Sequence, residues 1–212
     1  MAAELDHLVV GAAALAAGTA WAEARLGTAF AGGGAHPRMA THNRLLNLGR
    51  RTYLEVIAAD PAGEPPGRPR WFGLDDPATR ARLAERPRLV AWVVRVDDIA
   101  AAISALGDVA GTIETMSRGD LTWQIAVRAD GAPPAGGALP ILIEWPPGPH
   151  PVERLPASPC RLLRLTVTHP EPPRIAAALA ALGLADDRLA VVAGETALAA
   201  ELETPAGVVA ID

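Results

Sequence analysis

Leu5-Asp6-His7-Leu8-Val9-Val10 is an apolar run carrying two ionisable groups, and its reading decides how the rest of the chain is organised. The run predicts a buried strand, and a buried ionisable group needs a partner, a hydrogen-bond network or a metal. Two further runs share the property. Tyr53-Leu54-Glu55-Val56-Ile57 and Ile141-Leu142-Ile143-Glu144-Trp145 each place a glutamate inside an apolar strand. His7, Glu55 and Glu144 are therefore the candidate site.

Working outward, the chain repeats one pattern three times: a strand, a short Ala-rich helix, then two or three more strands. The first unit reads as strand 5–11, helix 15–26 ending at Gly27, and strands 42–48 and 52–58 around the turn Gly49-Arg50-Arg51, with Gly32-Gly33-Gly34 leading into the sheet. The second reads as strand 89–96, helix 98–106 ending at Gly107, and strands 111–116, 121–128 and 139–145. The third reads as strand 162–168, a helix 174–182 after Pro172-Pro173, and strands 189–193, 197–203 and 207–211. Proline lacks a ladder donor and fixes φ, so Asp60–Pro69 and Pro146–Pro159 read as linkers. Residues 1–150 then hold a paired domain (units 1–60 and 88–146), and 160–212 a third unit. Trp71–Arg86 reads as a short helix starting near Asp75-Asp76-Pro77, with a charged face suited to a lid or surface element.

The chain has 212 residues, half of them hydrophobic, which is ample for a core. A single cysteine, Cys160, excludes an intrachain disulfide framework and a thiolate zinc site. The net charge of −5 comes without a basic cluster, so no nucleic-acid partner is expected. No run of about 18 uncharged apolar residues and no signal-peptide pattern is present, so no membrane partner is expected and the protein reads as cytoplasmic. Gly32-Gly33-Gly34 is followed by no Gly-Lys-Ser/Thr and lies in no strand-to-helix context, so no nucleotide cofactor is expected. Ser117 and Ser158 lie in no nucleophile-elbow context.

Laid on one another, the first strands align His7 with Trp92 and Arg164, and the last strands align Glu55 with Glu144 and Ala210. The third unit has lost both polar positions, so its role is expected to be structural. Its apolar face must be covered by the first two units or by another copy, and the homodimer is slightly favoured. Period-two alternation lets one concave face collect His7, Glu55 and Glu144. Each has a bland alternative: His7 as a core histidine, and the glutamates as salt-bridge partners of Arg44 or Arg128. His36, His42 and Asn43 follow the glycines and are expected either to line the mouth of the cup as substrate-binding residues or to satisfy their own turn. Trp71, Trp92 and Trp123 are expected to wall the pocket or to belong to the core.

The tandem pattern, with Asp6-His7-Leu8-Val9-Val10 on a first strand and Tyr53-Leu54-Glu55 and Ile143-Glu144-Trp145 on last strands, resembles the vicinal oxygen chelate superfamily of glyoxalase I, bleomycin-resistance proteins and extradiol dioxygenases. More narrowly, Gly32-Gly33-Gly34-Ala35-His36-Pro37, Thr41-His42-Asn43-Arg44-Leu45 and Tyr53-Leu54-Glu55 resemble the glyoxalase-like domain proteins within it. The resemblance covers essentially the whole chain. It implies an α+β fold in which tandem βαβββ units form a cupped mixed sheet, with a third, degenerate unit at the C-terminus. Metal-dependent members use four positions, which here hold His7, Glu55, Trp92 and Glu144, and tryptophan cannot coordinate. One imidazole and two carboxylates remain, a set able to hold Zn, Ni, Mn or Fe with open positions for substrate oxygens.

The leading expectation is a metal-dependent lyase or isomerase of the glyoxalase type acting on a small oxygen-rich substrate, with Glu144 as base and Glu55 as ligand, the two roles being exchangeable. The alternative is a metal-free binder of a drug or metabolite, like the bleomycin-resistance proteins. An extradiol dioxygenase fits less well, because Trp92 stands where a second histidine is needed.

Overall fold

The first apolar run forms β1 (Ala3–Gly11), which lies at the centre of an eight-stranded sheet. The computed structural model describes residues 2–148 and 150–212. Met1 and Pro149, the latter inside the expected second linker, lie outside the described residues. The first unit continues through α1 (Leu15–Leu26), β2 (Ala31–His36), β3 (Thr41–Asn47) and β4 (Tyr53–Ala59). Gly27 stops α1 with a left-handed φ of 62°. Then α2 (Pro77–Glu85) precedes the second unit of β5 (Arg88–Val96), α3 (Ile99–Leu106), β6 (Thr112–Arg118), β7 (Leu121–Val127) and β8 (Ile141–Glu144). Asp76 and Asp98 start α2 and α3 by accepting the N–H of Thr79 at 2.7 Å and of Ala101 at 2.9 Å. The third unit is β9 (Arg161–His169), α4 (Pro172–Ala181), β10 (Leu189–Ala193), β11 (Ala197–Thr204) and β12 (Gly207–Ile211).

The large sheet runs β2-β3-β4-β1-β5-β8-β7-β6, and the third unit makes a separate sheet β10-β9-β11-β12. Within each paired unit the first and last strands are parallel, β1 with β4 and β5 with β8. The units meet along the antiparallel seam of β1 and β5. This is an α+β fold whose large sheet curls into a cup until its two edge strands approach: Arg38, just after β2, donates to the Thr115 carbonyl of β6 at 2.5 Å.

Alternation sorts the side chains onto two faces. Val9, Ile57, Val93, Ile125 and Ile143 fill one apolar cluster on the concave side. Leu8, Leu54, Trp92, Val94 and Leu142 join another on the convex side. Leu165, Val167, Ile175, Leu198 and Leu202 of the third unit belong to that same convex cluster. The apolar face of the third sheet is thus covered inside the chain.

Three segments depart from the reading of the sequence. Gly32-Gly33-Gly34 does not merely lead into the sheet but lies within edge strand β2. Trp71–Arg86 is not one helix: Trp71-Phe72-Gly73 form a tight turn that buries both rings in the concave cluster, and only Pro77–Glu85 is α-helical. The proline-rich stretch after β8 is no simple tether, since its turn Pro151–Arg154 sets Val152 against Leu45 and Tyr53.

Candidate active site

The register of β1 against β5 pairs Leu5 with Val94 and His7 with Val93, which leaves Asp6 as an extra residue in a bulge. A regular strand would send neighbouring side chains to opposite faces. Here Asp6 and His7 meet instead, with His7 Nδ1 2.6 Å from Asp6 Oδ1. The other carboxylate oxygen, Asp6 Oδ2, accepts from Trp145 Nε1 at 3.1 Å and lies 2.8 Å from His150 Nε2. His150 Nδ1 accepts the N–H of Val152 at 3.3 Å, so the ring proton of His150 sits on Nε2 and points at Asp6.

On the cup side, His7 Nε2 faces Glu55 Oε2 at 3.4 Å. Glu55 Oε1 accepts from Asn43 Nδ2 at 2.5 Å. The amide orientation of Asn43 is fixed from its other end, because Asn43 Oδ1 accepts both the N–H of Gly34 and Arg118 Nη1, each at 3.0 Å. His36 completes the wall, with Nε2 3.4 Å from Asn43 Nδ2 and Nδ1 3.1 Å from Thr41 Oγ1, which also accepts from Trp71 Nε1 at 3.2 Å. The Tyr53 ring stacks on His7 with centroids 4.4 Å apart. Above this row lies a narrow cleft walled by Trp71, Phe72, Trp123 and Trp145.

Burial and hydrogen bonding oppose each other in the row, and the outcome differs by residue. Burial drives His7 toward neutrality, but hydrogen bonds and charge from Asp6 and Glu55 outweigh it and raise its pKa to about 9, so the ring is an imidazolium at neutral pH. Burial likewise pushes the Asp6 and Glu55 carboxyls up, yet bonds from His150 and His7 to Asp6, and from His7 and Asn43 to Glu55, hold both below their ordinary values. His36 lacks a bonded carboxylate, and burial lowers it to about 4, leaving a neutral ring. Burial, followed by the nearby charges of Asp6 and Glu55, keeps Tyr53 a phenol.

His7, Glu55, His36, Asn43 and Trp71 all line the cleft. Glu144 does not. Its neighbour Ile143 faces the cup, and Glu144 itself turns to the helix side, where Oε2 accepts the N–H of Ile99 at the start of α3 at 2.8 Å. Trp92 also faces the convex side, donating to the Gly137 carbonyl at 3.0 Å. His42, between the cup residues Thr41 and Asn43, lies 3.9 Å from Asp60 and outside the cleft. For Trp92 and Glu144 the alignment of units was one residue out, and one residue exchanges the faces of a strand; His42 takes the opposite face from its neighbours Thr41 and Asn43 for the same reason of alternation. Sequence reasoning missed Arg118 and His150 as site residues. An arginine closing an edge strand and a histidine in a proline-rich stretch carry no local signal of this role.

The donor set does not fit a divalent metal. The positions of the second unit that face His7 and the cleft are Val93 and Ile143, so only His7 and Glu55 of the expected set remain together, where such an ion calls for three or four protein donors. Among the described residues, no group of three or more His, Cys, Asp or Glu side chains is placed to hold a metal. What the row can do is hold and pass protons beside an aromatic-walled cleft.

A family model described as a glyoxalase-like domain matches residues 5–183. Similar solved structures include a hypothetical protein from Staphylococcus aureus, with 12% identity, TM-score 0.57, and 92% of this chain and 87% of that chain covered. Methylmalonyl-CoA epimerase from Mycobacterium tuberculosis matches with 18% identity, TM-score 0.40, and coverage of 68% and 88%. No curated protein matches the sequence. With a family match over most of its length, the chain belongs to the glyoxalase-like domain family.

Proposed function

We propose that this protein is a proton-transfer enzyme, an isomerase or lyase, acting on a small oxygen-rich substrate in the cup without a metal ion. The observation that carries this reading is the buried row Asp6–His7–Glu55, whose outer carboxylate opens onto an aromatic cleft. Glu55 is the proton acceptor: it takes a proton from a carbon next to a carbonyl, the electron pair moves onto the carbonyl oxygen, and an enediolate or enolate forms. His7 stands at Glu55 Oε2, and Asp6 holds the ring and compensates its charge, so the proton is retained at the Glu55–His7 pair and returned to the neighbouring carbon or the opposite face. The aromatic walls exclude water that would compete for it.

Proton exchange from solvent tests the reading without knowledge of the natural substrate. Dihydroxyacetone, glycolaldehyde and pyruvate incubated in D₂O are expected to gain deuterium next to the carbonyl, as read by NMR. Glu55→Gln should lower the rate by at least about a hundredfold, while Glu144→Gln should leave it unchanged. Exchange that survives Glu55→Gln, or that a chelator abolishes, overturns the proposal. The competing reading, a binder without turnover, is favoured by the three tryptophans around the cleft and would show ligand binding without exchange.

A further inference from the structure

We infer that the cleft takes a short-chain monocarboxylate and that Arg118 is the residue that holds its carboxylate. Arg118 ends edge strand β6, and its side chain crosses to the first unit so closely that a Cβ on Gly34 would stand 3.1 Å from its Cδ. Among the described residues its hydrogen bond is to the neutral amide of Asn43, and it forms no salt bridge with a carboxylate there. Of the other arginines near this edge of the cup, Arg38 and Arg68 both pair with Glu114, Arg154 pairs with Asp120, and Arg44, which donates to the Gly32 carbonyl, does not line the cleft. Arg118 is thus the cleft-lining cation with guanidinium donors still to be met.

A half-buried guanidinium loses hydration and regains it best from a planar, two-oxygen acceptor. Charge narrows the choice further. One arginine balances one negative charge, and the Glu55 carboxylate already lines the cleft beside it, so a phosphate dianion meets more repulsion than a monocarboxylate. Position then links recognition to chemistry. Asn43 bridges Arg118 to Glu55 through a single amide, so a carboxylate held by Arg118 presents its neighbouring carbons to Glu55 Oε1 and Oε2. The matching ligands are short 2-oxo or 2-hydroxy acids. This identification rests on the cleft being the substrate site of the proton-transfer reading above.

Isothermal titration of the full chain with oxamate, lactate, uncharged ethyl oxamate and inorganic phosphate tests it. At least one of the two carboxylates should bind, ethyl oxamate and phosphate should bind at least about tenfold more weakly, and Arg118→Gln should remove about tenfold or more of the carboxylate affinity. Arg38→Gln, at an exposed arginine already paired with Glu114, should leave that affinity unchanged. Equal binding of the ester, tighter binding of phosphate, no carboxylate binding at millimolar concentration, or full affinity in a folded Arg118→Gln overturns the inference. Should Arg118→Gln fail to fold, the comparison of oxamate with ethyl oxamate on the unaltered protein decides. The two proposals fail separately: carboxylate binding without deuterium exchange sinks only the proton-transfer reading, and exchange into dihydroxyacetone without carboxylate binding sinks only this one.

Discussion

At the scale of the residue, His7 owes its state to two carboxylates rather than to its buried position. Burial alone would leave it neutral, as it leaves His36. Replacing Asp6 by Asn removes the carboxylate at 2.6 Å and leaves Glu55, 3.4 Å away, as the remaining anionic neighbour. The His7 midpoint is therefore expected to fall from about 9 toward the ordinary 6.5, which an NMR titration of the imidazole reads directly. A midpoint unmoved by Asp6→Asn would remove Asp6 as the cause. His7 and Glu55 were legible in the sequence because an ionisable group inside an apolar strand needs a partner. Asp6 stood in the same run, but its role depends on a bulge, and a bulge is a property of the pair β1 and β5 rather than of either strand alone. Glu144 looked equivalent to Glu55 for the same reason that it proved otherwise. Both sit in apolar strands, and only the register says which face each takes.

At the scale of the element, β2 shows why a glycine run can be a strand. A Cβ on Gly33 would lie 2.1 Å from the Asn43 carbonyl oxygen, and its φ of 100° is one that other residues rarely adopt. The missing side chain lets β2 close on β3, next to the Asn43 amide that Gly34 helps to orient. Gly33→Ala should therefore destabilise the fold by more than about 1 kcal/mol and loosen the site with it, as measured by urea unfolding. A neutral result would mean that β2 can shift without cost. The helix ends were the readable part of the chain: Gly27, Asp76 and Asp98 mark boundaries that the structure keeps. The segment after β8 was not, because proline content predicts exclusion from a ladder but not where a side chain such as His150 will dock. Glu144 also acquires its meaning at this scale, since it joins Asp98 in meeting the unpaired N–H groups at the start of α3.

For the whole molecule, the pKa shifts combine into a stability that peaks close to pH 6.5. His7 is raised to about 9 from 6.5, so its contribution is complete below 6.5 and is lost as pH rises through about 9. His36 is lowered to about 4 from 6.5, so its unfolded form takes up the proton first and stability falls as pH drops from 6.5 through about 4. Asp6 and Glu55, both lowered, add to the loss on the acid side, as their contribution is present above 3.8 and 4.5 and disappears as they protonate. Calorimetric melting across this range should give a dome, and a flat alkaline limb would contradict the buried imidazolium. The repeat that organises the fold was legible from three recurrences of one pattern, whereas the covering of the convex face by the third unit was not, because the sequence left two ways to bury that surface. Of the five tryptophans, three surround the cleft, and Trp145 ties its indole N–H to Asp6 while its ring lies 5.3 Å from that of Trp123. The ultraviolet emission of this protein is thus weighted toward the cup, and a molecule entering it sits against the fluorophores themselves, so occupancy can be read by light with no label attached.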